Sequence, residues 1–160
     1  MKVENVVPTD LSLMNQTVSL SLEHVHKGGL PFSALVVDEK GHVLAQGVNR
    51  VNELNDPTAH AEILAIREAS KVLGSSDLTG KTLYAYGEPC AMCYLAAKWA
   101  GIHTVYIAAD RNEAASAGFD YRWSYDYFNQ KHASPTAITV KKIAVENAFL
   151  PFECRDKREE

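Results

Sequence analysis

The sequence predicts an α/β fold, and three observations carry that expectation. Strand-like and helix-like segments alternate along the chain, the first two strands are joined by a short polar loop, and two later strand-to-helix steps place chemistry-bearing residues at the start of a helix. Leu11, Met14, Val18, Leu22 and Val25 recur at three- and four-residue intervals between Thr9-Asp10 and Gly28-Gly29, which predicts an amphipathic first helix. Ala34 to Val37 and Val43 to Val48 flank Asp38-Glu39-Lys40-Gly41-His42, a loop suited to an antiparallel hairpin. After Asp56-Pro57-Thr58 a helical pattern runs to Leu73 and stops at Gly74, with Thr58 as the expected N-cap and Ile63, Ile66 and Leu73 on the buried side. Thr82 to Tyr86 is the third strand. Pro89 suits a helix opening, and Ala91 to Ala100, nearly all apolar before Gly101, predicts a central buried helix. Thr104 to Ala108 is the fourth strand, parallel to the third through a right-handed crossover. Ile138 to Val145 reads as a further strand-like stretch, and Arg155 to Glu160 as a solvated, mixed-charge helix face.

A chain of 160 residues with 46% apolar side chains suits one domain with a substantial core. Its net charge of -4 argues against an extended polyanion as obligatory partner and favours a small ligand. Apolar runs are too short for a membrane span, and the start at Met1 lacks the pattern of a signal peptide, so a cytoplasmic protein is expected. Three cysteines, two of them close together, make no disulfide framework and favour a reducing compartment.

The chemistry concentrates in His60-Ala61-Glu62 and Pro89-Cys90-Ala91-Met92-Cys93. A catalytic zinc takes three protein ligands and keeps a fourth position for water, whereas a structural zinc is closed. His60, Cys90 and Cys93 supply one imidazole and two thiolates, and Glu62 is left as a free carboxylate to act as base. Both ligand groups fall at helix starts, where the positive end of the helix favours thiolates. A Cys-x-x-Cys pair alone could be redox-active, and Cys154 could close the zinc as a fourth ligand, but Glu62 would then have no role. Cys154 is read as a free thiol, and the other histidines, which lack ligand spacing, as structural or solvated.

These two motifs are identified as the signature of zinc-dependent nucleobase deaminases. The wider chain resembles the cytidine-deaminase superfamily and within it bacterial guanine deaminases: Gly29-Leu30-Pro31-Phe32, Asn55 to Glu62, Ala69 to Gly74 and Ala117-Gly118-Phe119-Asp120 carry the likeness. The resemblance implies a three-layer α/β/α domain over residues 1–160 with a mixed five-stranded sheet, one zinc per subunit, and hydrolysis at the amine-bearing amidine carbon of a base. Glu62 would move the proton from water to the adjacent ring nitrogen and then help ammonia leave. By the same likeness Phe32, Asn49, Ala61 and Asp120 are expected at the substrate, and a homodimer is implied that exchanges a C-terminal segment of about residues 146–160.

Guanine deaminases of this branch carry a second acid directly after Gly-Phe-Asp, a position held here by Tyr121, a poor base at neutral pH. Tyr121 is kept as a substrate contact, and Glu153, after Leu150-Pro151-Phe152, is the candidate replacement acid. Phe119, Tyr121, Trp123, Tyr125 and Tyr127 fall on alternate positions, so an extended segment would align their rings. That pattern suits either packing or an aromatic lid over a planar base, with Trp123 the preferred ring. Guanine is the expected substrate. The alternatives are a nucleoside deaminase acting on guanosine or cytidine, a tRNA wobble-adenosine deaminase disfavoured by the acidic balance, and a catalytically silent zinc assembly module.

Overall fold

The structure, a computed structural model, describes residues 9–130 and 136–154. The chain divides into two compact units, the first ending at Asp126 and the second beginning at Tyr127. In the first unit the elements run α1 (Asp10–His26), β1 (Ser33–Val37), β2 (Val43–Val48), α2 (Val51–Leu54), α3 (Ala61–Leu73), β3 (Thr82–Gly87), α4 (Ala91–Trp99), β4 (Thr104–Ala109), α5 (Arg111–Ser116) and α6 (Trp123–Asp126). The second holds a 3-10 turn (Tyr127–Asn129) and α7 (Leu150–Glu153).

The four strands form one mixed sheet in the order β2-β1-β3-β4. β1 is antiparallel to both neighbours and β3 is parallel to β4, so β2, β3 and β4 all point the same way. Successive side chains of β1 face opposite layers. Leu35 and Val37 join Leu13 of α1 and Tyr84 of β3 on one face, while Ala34 and Val36 meet Ala61, Ala65 and Ala69 of α3 and Ala97 of α4 on the other. Three layers result. The sheet has four strands among the described residues, where five were expected. Ile138 to Val145 is irregular and exposed, because a strand needs a neighbour for its backbone and no described residue pairs with it.

The helices bury faces that apolar periodicity misses. α1, capped by the Thr9 hydroxyl, buries Leu13, Thr17, Ser21 and His24, whereas Leu11, Leu22 and Val25 are exposed. Its buried hydroxyls are stitched internally: Thr17 donates to the Leu13 carbonyl at 2.8 Å, Ser21 and Ser33 share a 2.7 Å bond, and Ser33 donates to the Thr17 carbonyl at 2.6 Å. Buried groups paired in this way cost little, so small polar residues permit close helix–sheet contact. α3 packs mainly through Ala61, Ala65 and Ala69, with Ile66 of the expected face partly buried against the same cluster and Leu73 exposed. It lies so close to β2 that a Cβ on Gly47 would sit 2.3 Å from the Ala61 carbonyl oxygen. α4 buries Cys93 and Ala97 but leaves Trp99 88% exposed, so it is not the central buried helix expected. β4 is an edge strand with largely exposed side chains. No helix among the described residues is long and apolar enough to cross a membrane.

Candidate active site

Because β2 and β3 run in the same direction, the junctions that follow them open at the same end of the sheet, where open α/β sheets place their ligands. His60 is the N-cap of α3 and Cys90 the N-cap of α4, both with extended backbone. Thr58 is not the cap. Its amide and hydroxyl instead donate to Asp56 Oδ1 at 2.8 and 2.7 Å, a local turn that delivers the chain to His60.

His60 Nδ1 lies 3.6 Å from Cys90 Sγ and 3.5 Å from Cys93 Sγ, and the two sulfurs are 3.7 Å apart. Tetrahedral zinc with Zn–S of about 2.3 Å and Zn–N of about 2.0 Å separates two sulfurs by roughly 3.8 Å and nitrogen from sulfur by roughly 3.5 Å. The three donors therefore form a metal site with the dimensions of zinc. The Cys93 thiol and then His60 hold the Cys90 thiol down at about 4, so it is supplied as thiolate. Cys154 is a free, exposed cysteine in the second unit.

Glu62, in the first turn of α3, is buried, and burial raises its carboxyl above the usual carboxylate range. It borders a cavity of about 220 Å³ that is also lined by Phe32, Asn49, His60, Ala61 and Cys90, and by Asp120 and Tyr121 from the segment after α5. Thus seven of the candidate residues line this cavity together with Glu62. Phe32 meets Phe119 edge to face, with ring centroids 5.3 Å apart, and Gly87 leaves it room, since a Cβ there would strike its ring at 2.8 Å. The Asn49 carbonyl is bonded to His24 Nε2 at 2.7 Å, and its Oδ1 accepts from the Val51 amide at 3.1 Å, which leaves Nδ2 as its available donor.

One candidate of the first unit stands elsewhere. Trp123 opens α6 and is 69% exposed, outside the cavity lining, because the turn into α6 breaks the alternation that would have aligned the rings. Glu153 closes α7 in the second unit and is exposed there.

Phe119, one of the alternating rings, lines the cavity, and so does Glu88, which is not among the sequence candidates. Glu88 directly precedes Pro89-Cys90, which was its one available signal. The Arg111 side chain donates to its carboxylate through Nε at 3.1 Å and Nη2 at 2.9 Å, the Arg111 amide adds a 2.8 Å bond, and the Tyr94 hydroxyl a 2.7 Å bond. Led by Arg111, these donors hold Glu88 at about 2. Asp120 is likewise held at about 2 by Arg122. Of the three carboxylates on the cavity, two are pinned in ionised form by arginine, and Glu62 alone is shifted toward holding a proton. Burial pushes the Tyr121 phenol further up, so it does not act as an anionic base.

The sequence profile of the cytidine and deoxycytidylate deaminase zinc-binding region matches residues 8–109. Guanine deaminase of Bacillus subtilis is 40% identical over 143 residues, which cover 89% of this chain and 90% of that protein. An X-ray structure of guanine deaminase from Bacillus subtilis superposes with a TM-score of 0.87 and 36% identity, covering 95% of this chain and 98% of the other. A tRNA-specific adenosine deaminase of Aquifex aeolicus is 45% identical, but over 83 residues, 52% of this chain and 54% of that protein.

Proposed function

The chain belongs to the cytidine and deoxycytidylate deaminase zinc-binding family, and we propose that it hydrolyses a free nucleobase, guanine first, to the oxo base, xanthine, and ammonia. The observation that carries this reading is the buried Glu62 beside the zinc-sized donor triangle, in a chain alike to a guanine deaminase over nine-tenths of its length. The cavity's 220 Å³ falls below the roughly 300 Å³ at which pockets for drug-sized ligands begin, which favours a bare base over a nucleoside.

His60, Cys90 and Cys93 would hold zinc, which would supply the Lewis acidity that makes water nucleophilic near neutral pH. Glu62 takes a proton from that water as its oxygen bonds to C2 of guanine, and passes the proton to the adjacent ring nitrogen. It then carries the second proton to the exocyclic amine as the C2–N bond breaks, so that water and guanine balance xanthine and ammonia. Phe32 packs on the ring, the Asn49 amide donates to a polar edge, and Ala61 and Tyr121 complete the walls.

Because Glu88 and Asp120 are already pinned, a second proton carrier must come from outside the cavity-lining acids. Glu153 is our candidate, brought by the C-terminal segment. The exposed Ile138, Val140, Ile143, Phe149 and Phe152 support the homodimer that exchanges a C-terminal segment of about residues 146–160, as large exposed apolar surface rarely stays uncovered. Ammonia release from guanine, guanosine, cytosine, cytidine, adenine and tRNA tests the reading. Guanine should turn over fastest, and a faster nucleoside or tRNA would replace it.

A further inference from the structure

Three hydrogen bonds from one short segment grip the backbone on either side of a metal ligand. The Tyr121 hydroxyl donates to the Glu88 carbonyl at 2.5 Å, the Tyr125 hydroxyl donates to the Pro89 carbonyl, and the Ala91 amide donates to Ser124 Oγ at 3.1 Å. Glu88, Pro89 and Ala91 bracket Cys90. We propose that Tyr121, Ser124 and Tyr125 form a clamp that holds the Glu88–Ala91 backbone and thereby fixes Cys90 as a zinc ligand, which makes the two phenols positioning residues of the metal centre.

The loop between β3 and α4 explains the need. Glu88 ends the ladder with its amide on the Ala109 carbonyl at 2.8 Å, Pro89 has no N–H, and α4 starts only at Ala91. The Glu88 and Pro89 carbonyls therefore have no secondary-structure partner, and buried carbonyls demand one. The phenols provide it. Ser124's amide donates to the Tyr121 carbonyl at 3.0 Å, and this turn brings Tyr121 and Tyr125 to the same side. The Arg111 guanidinium stacks 3.6 Å above the Tyr125 ring while it holds the Glu88 carboxylate, so the residue before Pro89 is gripped at side chain and main chain together. Packing alone would be served equally by phenylalanine; the hydroxyls are what the loop uses. Groups that orient metal ligands from behind typically contribute 10–100-fold in metal affinity.

The clamp rests on the assignment of His60, Cys90 and Cys93 as zinc ligands, and the experiment separates the two. Zinc content and the rate of zinc transfer to a chromophoric chelator are measured for wild type, Tyr121→Phe, Tyr125→Phe, the double variant, Ser124→Ala, and Tyr106→Phe as a control phenol on β4. Each clamp variant should release zinc about 10-fold faster than wild type with unchanged far-UV circular dichroism, and in Tyr125→Phe and Ser124→Ala, which lie outside the cavity lining, added zinc should restore turnover. Tyr106→Phe should match wild type. A wild-type protein that binds no zinc overturns the ligand assignment. Zinc-loaded Tyr121→Phe and Tyr125→Phe variants that release metal at the wild-type rate overturn the clamp, whether or not the double variant folds.

Discussion

Two junctions deliver the metal ligands, and they are built differently. The one between β2 and α3 supports itself: Asn49 caps the Val51 amide, Asp56 accepts from Thr58, and the His60 amide donates to the Thr58 carbonyl at 2.7 Å, all within a dozen residues. The one between β3 and α4 is held from a distance, by Arg111, Tyr121, Ser124 and Tyr125, 23 to 36 residues away. A short loop after a strand has too few residues to satisfy its own backbone, so its geometry is lent by a later segment. The difference teaches that the first ligand is specified locally and the second by tertiary structure.

If both junctions feed one donor set, His60→Ala and Cys90→Ser must each abolish stoichiometric zinc binding and turnover together, as read by metal analysis and ammonia release. Zinc retained in His60→Ala would remove the first junction from the site. Next in size is Gly47→Ala, whose Cβ would meet the α3 backbone. It should lower stability by about 1–3 kcal/mol in denaturant titration, because the carbonyl it strikes cannot turn aside.

At the second junction, the Glu88–Arg111 pair makes stability pH-dependent. Since the folded carboxyl is depressed from 4.5 to about 2, its contribution is complete above about 4.5 and is lost as pH falls toward 2. The stability gap between wild type and Glu88→Gln should accordingly be widest near pH 6 and narrow on acidification. A gap independent of pH would show that the pair does not hold the loop. The smallest effect belongs to Asp56→Ala, a slight loss of stability from an exposed turn in denaturant titration, with zinc release unaltered.

The same contrast explains what the sequence discloses. The hairpin, the strand-to-helix order and the ligand triad rest on local patterns and on a short spacing, and the structure brings those donors to zinc-like distances. Glu88 looked ordinary because Arg111, which pins it, lies beyond any local window. Apolar periodicity does not reveal the buried stripe of α1, since Thr17, Ser21 and His24 are polar residues that find their partners in the Leu13 carbonyl, Ser33 and the Asn49 carbonyl. The aromatic alternation after Phe119 suits packing, a dimer contact or an extended lid, and Tyr121 and Tyr125 turn inward through a helical turn that leaves Trp123 outside. The fifth strand failed for the complementary reason: apolar alternation at Ile138–Val145 marks a segment fit to pair, and pairing needs a partner that no described residue supplies.

The sharpest test is ammonia release from guanine by zinc-loaded wild type and by Glu62→Gln, with zinc content measured on the same samples. Glu62 is the one cavity carboxyl free to carry a proton, so the variant should keep its zinc and lose about 10²–10⁴-fold in kcat. Equal rates from two equally loaded proteins would contradict the mechanism.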